Sequence, residues 1–142
     1  MTGGIDRELL AERAASVIRH LDRVSAYLPG DPSQLQPMTA ATDTVVLHLW
    51  QAVQVVIDLA VSSCVRLGLG SPPTYADAFG RLAEAGVLSV DLSVRLGRAV
   101  GFRNLVVHGY GSLDLRPVYA IARAGPADLR AFLAALRDHG RA

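Results

Sequence analysis

TDTVVLHLWQAVQVVIDLAVSSCVRLGL, the stretch from Thr42 to Leu69, decides the architecture. Thr44, His48, Gln51, Asp58, Ser62 and Arg66 fall within about a third of the circumference of a helix, and most of the remaining positions are apolar. A helix apolar over so much of its surface is covered on most sides, so this stretch is expected to be the central element of an all-α fold. Thr42 or Asp43 is placed to cap its start, and Gly68, Gly70, Pro72 and Pro73 end it near Leu69. Val45 to Val61 has the length of a membrane span. His48, Gln51, Gln54 and Asp58 interrupt it, which predicts a buried helix and no membrane contact.

Helical periodicity continues on both sides. Leu10, Ala14, Val17, Leu21, Val24 and Leu28 recur at spacings of four and three, predicting a first helix over Asp6 to Leu28. Pro29, Gly30, Asp31 and Pro32 stop it, and residues 29–41 read as an inter-helix linker. Downstream, Thr74 caps a short helix from Tyr75 to Ala85 that closes at Gly86. Ser89 caps a fourth helix, with Val90, Leu92, Leu96, Ala99, Val100, Val106 and Val107 on its apolar arc and an end near Gly109 or Gly111. A short helical segment from Leu115 to Arg123 and a last helix from Pro126 to His139 complete the chain. Nothing alternates at period two for long enough to form a strand. The expected architecture is an up-and-down bundle of four to five helices, with residues 1–142 as a single domain.

Composition narrows the function classes. Apolar residues make up 51% of the chain and aromatics only 6%, so the core is expected to be built from Leu, Val and Ala. A net charge of +1 gives no general field for polyanions, which leaves only a local cluster to meet nucleic acid. One cysteine, Cys64, excludes an internal disulfide and fits inert packing in a reducing compartment, and with four scattered histidines it does not assemble a zinc site. Asp6, Glu8 and Glu12 stand where a signal peptide would carry positive charge, so the expected location is cytoplasmic. No cofactor motif is present, and no glycine-rich phosphate loop of the usual form.

Chemistry concentrates between Arg103 and Tyr110. On a helical wheel Arg103 falls within the apolar arc, where a guanidinium is costly unless something pairs with it; Asp58 on the central helix is the candidate counter-ion. Asn104 and His108, four apart, share another side with Gly97 and Gly101. Each glycine costs a helix interior about 1 kcal/mol against alanine, which suggests that another backbone approaches there. Arg103 and His108 lie about 140° apart on a straight helix and cannot both face one phosphate. Either the helix distorts near Gly109, or two copies of the chain share a site. The glycine face favours the second. An Arg and a His in this position also complement the negative end of a helix, which needs no active site.

The string Phe102-Arg103-Asn104-Leu105-Val106-Val107-His108-Gly109-Tyr110 resembles the Arg-x4-His-x-Tyr signature of the HepT toxins, a branch of the HEPN superfamily of helical ribonucleases. The similarity extends to Leu82 to Ser89 before the motif and to Val118-Tyr119 and the final helix after it. The resemblance implies a homodimeric, HEPN-like, metal-independent endoribonuclease of a type VII toxin–antitoxin pair, cutting tRNA or mRNA. It further implies an MntA-like nucleotidyltransferase antitoxin that transfers AMP to the motif tyrosine, here Tyr110. RNA supplies its own nucleophile in the 2′-hydroxyl, so cleavage needs an acid or base with a near-neutral pKa and a cation on the developing phosphorane. His108 takes the first role and Arg103 the second, with Asn104, Tyr110 and Asp58 in support. Tyr110, seven residues beyond Arg103, is expected to stack with it, so that an attached AMP would lie beside the guanidinium. The alternative is a non-catalytic helical module that binds a minimal nucleotidyltransferase.

Overall fold

The computed structural model describes residues 4–140, so the outermost residues of the expected 1–142 domain lie outside it. Five helices follow one another: α1 (Arg7–Tyr27), α2 (Ala40–Arg66), α3 (Tyr75–Glu84), α4 (Val90–Gly109) and α5 (Leu115–Gly140), with short 3-10 turns at Pro32–Gln34 and Tyr110–Ser112. No strand occurs among the described residues. Contacts between side chains fix the directions. Asp6 faces Arg66 while His20 meets His48, so α1 and α2 run antiparallel. Gln54 meets Arg103 while Asp43 meets Tyr110, so α2 and α4 do the same. With α4 packed on α5 and α5 on α1, the four long helices close an up-and-down bundle.

At its centre lies α2, which packs against all four other helices. Its length and composition would suit a membrane span, but half of its most apolar stretch is buried inside the fold. Val45, Leu49, Val53, Val56, Ile57 and Ala60 are fully enclosed. Burying each such side chain is worth about 1.5–3 kcal/mol, which is why this stretch and not its neighbours occupies the middle. The helix begins earlier than expected: Thr39, not Thr42 or Asp43, is the cap, its hydroxyl accepting from the Thr42 amide at 3.2 Å. Thr42 is thereby free to be buried, and Asp43 sits in the first turn. At the other end Gly68 (φ 75°) closes the helix, with the Leu69 amide donating to Cys64 and the Gly68 amide to Val65.

Two further expectations change. The segments Leu115 to Arg123 and Pro126 to His139 are one continuous helix, α5, with Pro126 inside it. An interior proline costs about 3 kcal/mol through a lost hydrogen bond and a clash with the preceding turn. Here Val118, Tyr119 and Ala122 before it and Leu129, Phe132, Leu133 and Leu136 after it are all buried, and only an unbroken helix buries both sets together. The Tyr119 hydroxyl also donates to the carbonyls of Pro29 and Gly30, at 2.9 and 3.0 Å, and so ties the linker to α5. On α4 the core face is Leu92, Leu96, Ala99, Val100 and Phe102, whereas Val90 and Val107 are exposed and Val106 is only partly covered. Cys64 is enclosed beside Ala78, and burial pushes its thiol pKa up, as inert packing requires.

Candidate functional site

The C-terminal half of α4 carries the polar residues singled out in the sequence, and the fold sends them in three directions. Arg103 turns towards α2 and α3. Its Nε donates to Gln54 Oε1 at 3.0 Å, one terminal nitrogen donates to Asn104 Oδ1 at 3.0 Å, and the guanidinium lies 5.2 Å from the centre of the Tyr75 ring. Gln54 in turn donates from Nε2 to Asp58 Oδ1 at 3.0 Å. An amide has one acceptor end and one donor end, so Gln54 is suited to stand between a cation and an anion. Asp58 therefore acts on Arg103 through Gln54 and is not its direct counter-ion. The carboxylate is exposed, and it lies one helical turn beyond Gln54 on α2, which occupies the contact with Arg103. These bonds fix the plane of the guanidinium and leave further N–H donors uncommitted among the described residues.

His108 points elsewhere. It is exposed and lines a hollow of about 430 Å³ with Gly101, Asn104, Leu105, Ser112 and Asp114. Asn104 belongs to both arrangements: it accepts from Arg103 and borders the His108 hollow. α4 stays helical through His108, and its backbone departs only at Gly109 (φ −165°, ψ 47°), too late to turn the imidazole towards Arg103. Among the described residues, the helix's own adjacent backbone aside, nothing comes within 4 Å of where a Cβ would stand on Gly97 or Gly101, so the backbone approach suggested by those glycines is not made by the other described helices. Leu105 beside them is 51% exposed, which leaves an open strip on α4 of small and apolar side chains that ends at His108.

Tyr110 follows the break. Its hydroxyl donates to Asp43 Oδ1 at 2.7 Å, joining the 3-10 turn to the first turn of α2. Partial burial, and then the Asp43 carboxylate as hydrogen-bond partner and as charge, push its pKa up to about 12. Tyr110 does not stack on Arg103. The two side chains engage α2 at Asp43 and Gln54, eleven residues and about 16 Å apart along its axis. Between α2 and α4 an apolar groove of about 480 Å³, lined by Val46, Leu47, Trp50, Val106 and Val107, leads to the Tyr110 hydroxyl. Trp50 packs against the core, as expected of an anchor, with its indole N–H buried and unpaired among the described residues.

Two positively charged neighbours are already engaged or solvated: Arg95 pairs with Asp128 of α5 at 2.9 Å, and Arg98 is exposed. Among the described residues no three His, Cys, Asp or Glu side chains are grouped as a metal site would require. One pair escaped the sequence reading, because periodicity places His20 on a surface face and His48 in a polar stripe. The fold brings their Nδ1 atoms to 2.9 Å, with rings 5.2 Å apart, so one ring donates to a neutral partner. Burial, then His48 and Arg19, hold the His20 pKa below its usual 6.5. The unfolded chain thus binds this proton more readily than the folded one, and the stability associated with a neutral His20 is lost as pH falls below that value. The melting temperature is expected to drop between about pH 7 and pH 5, and His20→Asn should flatten the drop; an unchanged slope in the variant would locate the acid sensitivity elsewhere.

Comparison with known proteins gives consistent matches over nearly the whole chain. The family model described as ribonuclease HepT-like matches residues 17–136. The mRNA nuclease HepT of Shewanella oneidensis is 29% identical over 126 residues, covering 89% of this chain and 94% of that protein. A crystal structure of a toxin–antitoxin with AMP-PNP contains a chain that superposes with a TM-score of 0.84 at 26% identity, covering 93% of this chain and 99% of that one. The tri-AMPylated HEPN toxin of Shewanella oneidensis in complex with an MNT antitoxin gives a TM-score of 0.83 at 27% identity, covering 94% and 99%.

Proposed function

This chain belongs to the ribonuclease HepT-like family, and on that premise we propose that it is a metal-independent endoribonuclease toxin of a type VII pair, active as a cytoplasmic homodimer. Its substrate is RNA, either tRNA or mRNA. Its partner is an MntA-like nucleotidyltransferase that silences it by transferring AMP to Tyr110. The observation that carries this reading is the guanidinium of Arg103, held in plane by Gln54 and Asn104 with donors to spare, on the same helix end as an exposed His108.

The chemistry follows from those two groups. The 2′-oxygen of RNA attacks the adjacent phosphorus, the bond to the 5′-oxygen breaks, and a proton leaves one oxygen and reaches the other. His108 moves that proton, and Arg103 meets the charge that builds on the phosphorane with parallel N–H donors. Because Arg103 and His108 of one copy face apart, a second copy completes the site. The strip of Gly97, Gly101 and Leu105 lies on the His108 side of α4 and is open enough for a helix of the partner copy to approach closely. AMP on Tyr110 adds a negative charge at the helix end where an RNA strand would enter, and so opposes the approach of its phosphates.

One experiment tests the whole reading. The purified chain is incubated with labelled RNA in EDTA, with and without the partner nucleotidyltransferase and ATP, beside Gly101→Arg. Wild type is expected to cut RNA without metal, to fall silent as AMP is incorporated, and to elute as a dimer. Gly101→Arg should elute as a monomer and lose cleavage. A Cβ at this position meets open space among the described residues and arginine favours the helix, so the change in elution reports on the second copy; the loss of cleavage also includes any obstruction of the His108 hollow, which Gly101 lines. A wild type inert on both RNA classes in the absence of its partner would instead favour the non-catalytic binding module.

A further inference from the structure

The contact between Tyr110 and Asp43 is more specific than a surface hydrogen bond has reason to be. It joins residues 67 positions apart at 2.7 Å, and the hollows on either side contain no other charged or titratable group. On the α4 side these hollows present Val46, Leu47, Val106 and Val107, and on the linker side Met38, Thr42 and Leu113. The start of α5 adds only Leu115. Among the described residues, Asp43 is thus the one base that faces the phenol from any element packed around it.

We infer that Asp43 is the proton acceptor for AMP transfer onto Tyr110, an inference that rests on the reading of Tyr110 as the modified residue. A phenol with an ordinary pKa near 10 is almost wholly un-ionised at neutral pH, so it needs a base when it attacks phosphorus. A base within about 2.6–3.2 Å of the oxygen can take the proton as the attack proceeds. In the step, the phenol oxygen attacks the α-phosphorus of ATP held by the nucleotidyltransferase, and the new O–P bond forms. The bond between the α-phosphorus and its bridging oxygen breaks, pyrophosphate leaves with the electron pair, and the phenol proton passes to Asp43 and then to water. The product has no proton to share and carries its own negative charge beside the carboxylate. Modification therefore ends the contact between the 3-10 turn and α2, and the modified side chain is repelled from Asp43.

The test uses the assembled complex of this chain with its nucleotidyltransferase, magnesium and ATP labelled on the α-phosphate. Asp43→Asn keeps an acceptor oxygen but cannot take a proton. Its kcat for labelling is expected to fall by about 10²-fold, with KM for ATP and co-elution with the partner unchanged and the pH dependence of kcat flattened. Asp43→Glu restores the carboxylate and is expected within about tenfold of wild type. Labelling of Asp43→Asn at the wild-type rate overturns the inference, as does Asp43→Glu no faster than Asp43→Asn. Tyr110→Phe separates the two claims. Loss of label there, together with normal labelling of Asp43→Asn, removes the role of Asp43 and keeps the modified tyrosine. Full labelling of Tyr110→Phe removes both.

Discussion

Replacing His108 with alanine is expected to reduce metal-free RNA cleavage by about 10²- to 10⁴-fold, the range lost when a positioned acid or base is removed. Such a loss is often ambiguous, because a variant that unfolds is also inactive. Here the structure separates the two. His108 is exposed and its imidazole makes no hydrogen bond among the described residues, while the packing of α4 comes from Leu92, Leu96, Ala99, Val100 and Phe102 on its other face. Alanine is the better helix former, and the only term lost is a cation complementing the helix C-terminus, about 0.3–1 kcal/mol when charged. Thermal melts of variant and wild type should therefore nearly coincide while the cleavage rates differ by orders of magnitude. Equal cleavage rates would remove His108 from the chemistry and leave the family resemblance without its acid or base.

The second large effect is expected at Arg103, and the informative change is to lysine. Charge alone would be preserved, but an ammonium is a point donor without the planar fork that Gln54 and Asn104 hold in position. If Arg103 works by presenting parallel donors to a phosphorane, Arg103→Lys loses about 10²- to 10³-fold in cleavage, close to the loss in Arg103→Ala. A lysine variant within a few-fold of wild type would mean that a diffuse positive charge suffices. The fold should tolerate both variants, since Arg103 is only half-buried and Gln54 and Asp58 reach solvent when the guanidinium is gone.

Both predictions depend on geometry that the sequence presents only in part. The motif residues are legible because they are consecutive on one helix, and the wheel correctly sets Arg103 and His108 on different sides of it. The wheel does not say what each side meets. Asp58 is a reasonable counter-ion on charge alone, yet an uncharged neighbour one turn earlier, Gln54, takes the contact and passes it on. Tyr110 is a similar case. Seven residues of regular helix would align it with Arg103, but the backbone leaves the helix at Gly109 and the phenol finds Asp43, which the sequence offers only as a possible cap.

The amino-acid order by itself determined the all-helical class, the central position of α2 and the gathering of polar chemistry at the end of α4. Each of these follows from periodicity or from caps, which act over a few residues. The register of one helix against another, which pairs His20 with His48, Gln54 with Arg103 and Asp43 with Tyr110, was decided only in three dimensions. So was the passage of α5 through Pro126, where burial on both sides of the ring outweighs the local cost. Register is the sum of many weak contacts between distant segments, and no short stretch of chain holds enough of that sum to reveal it.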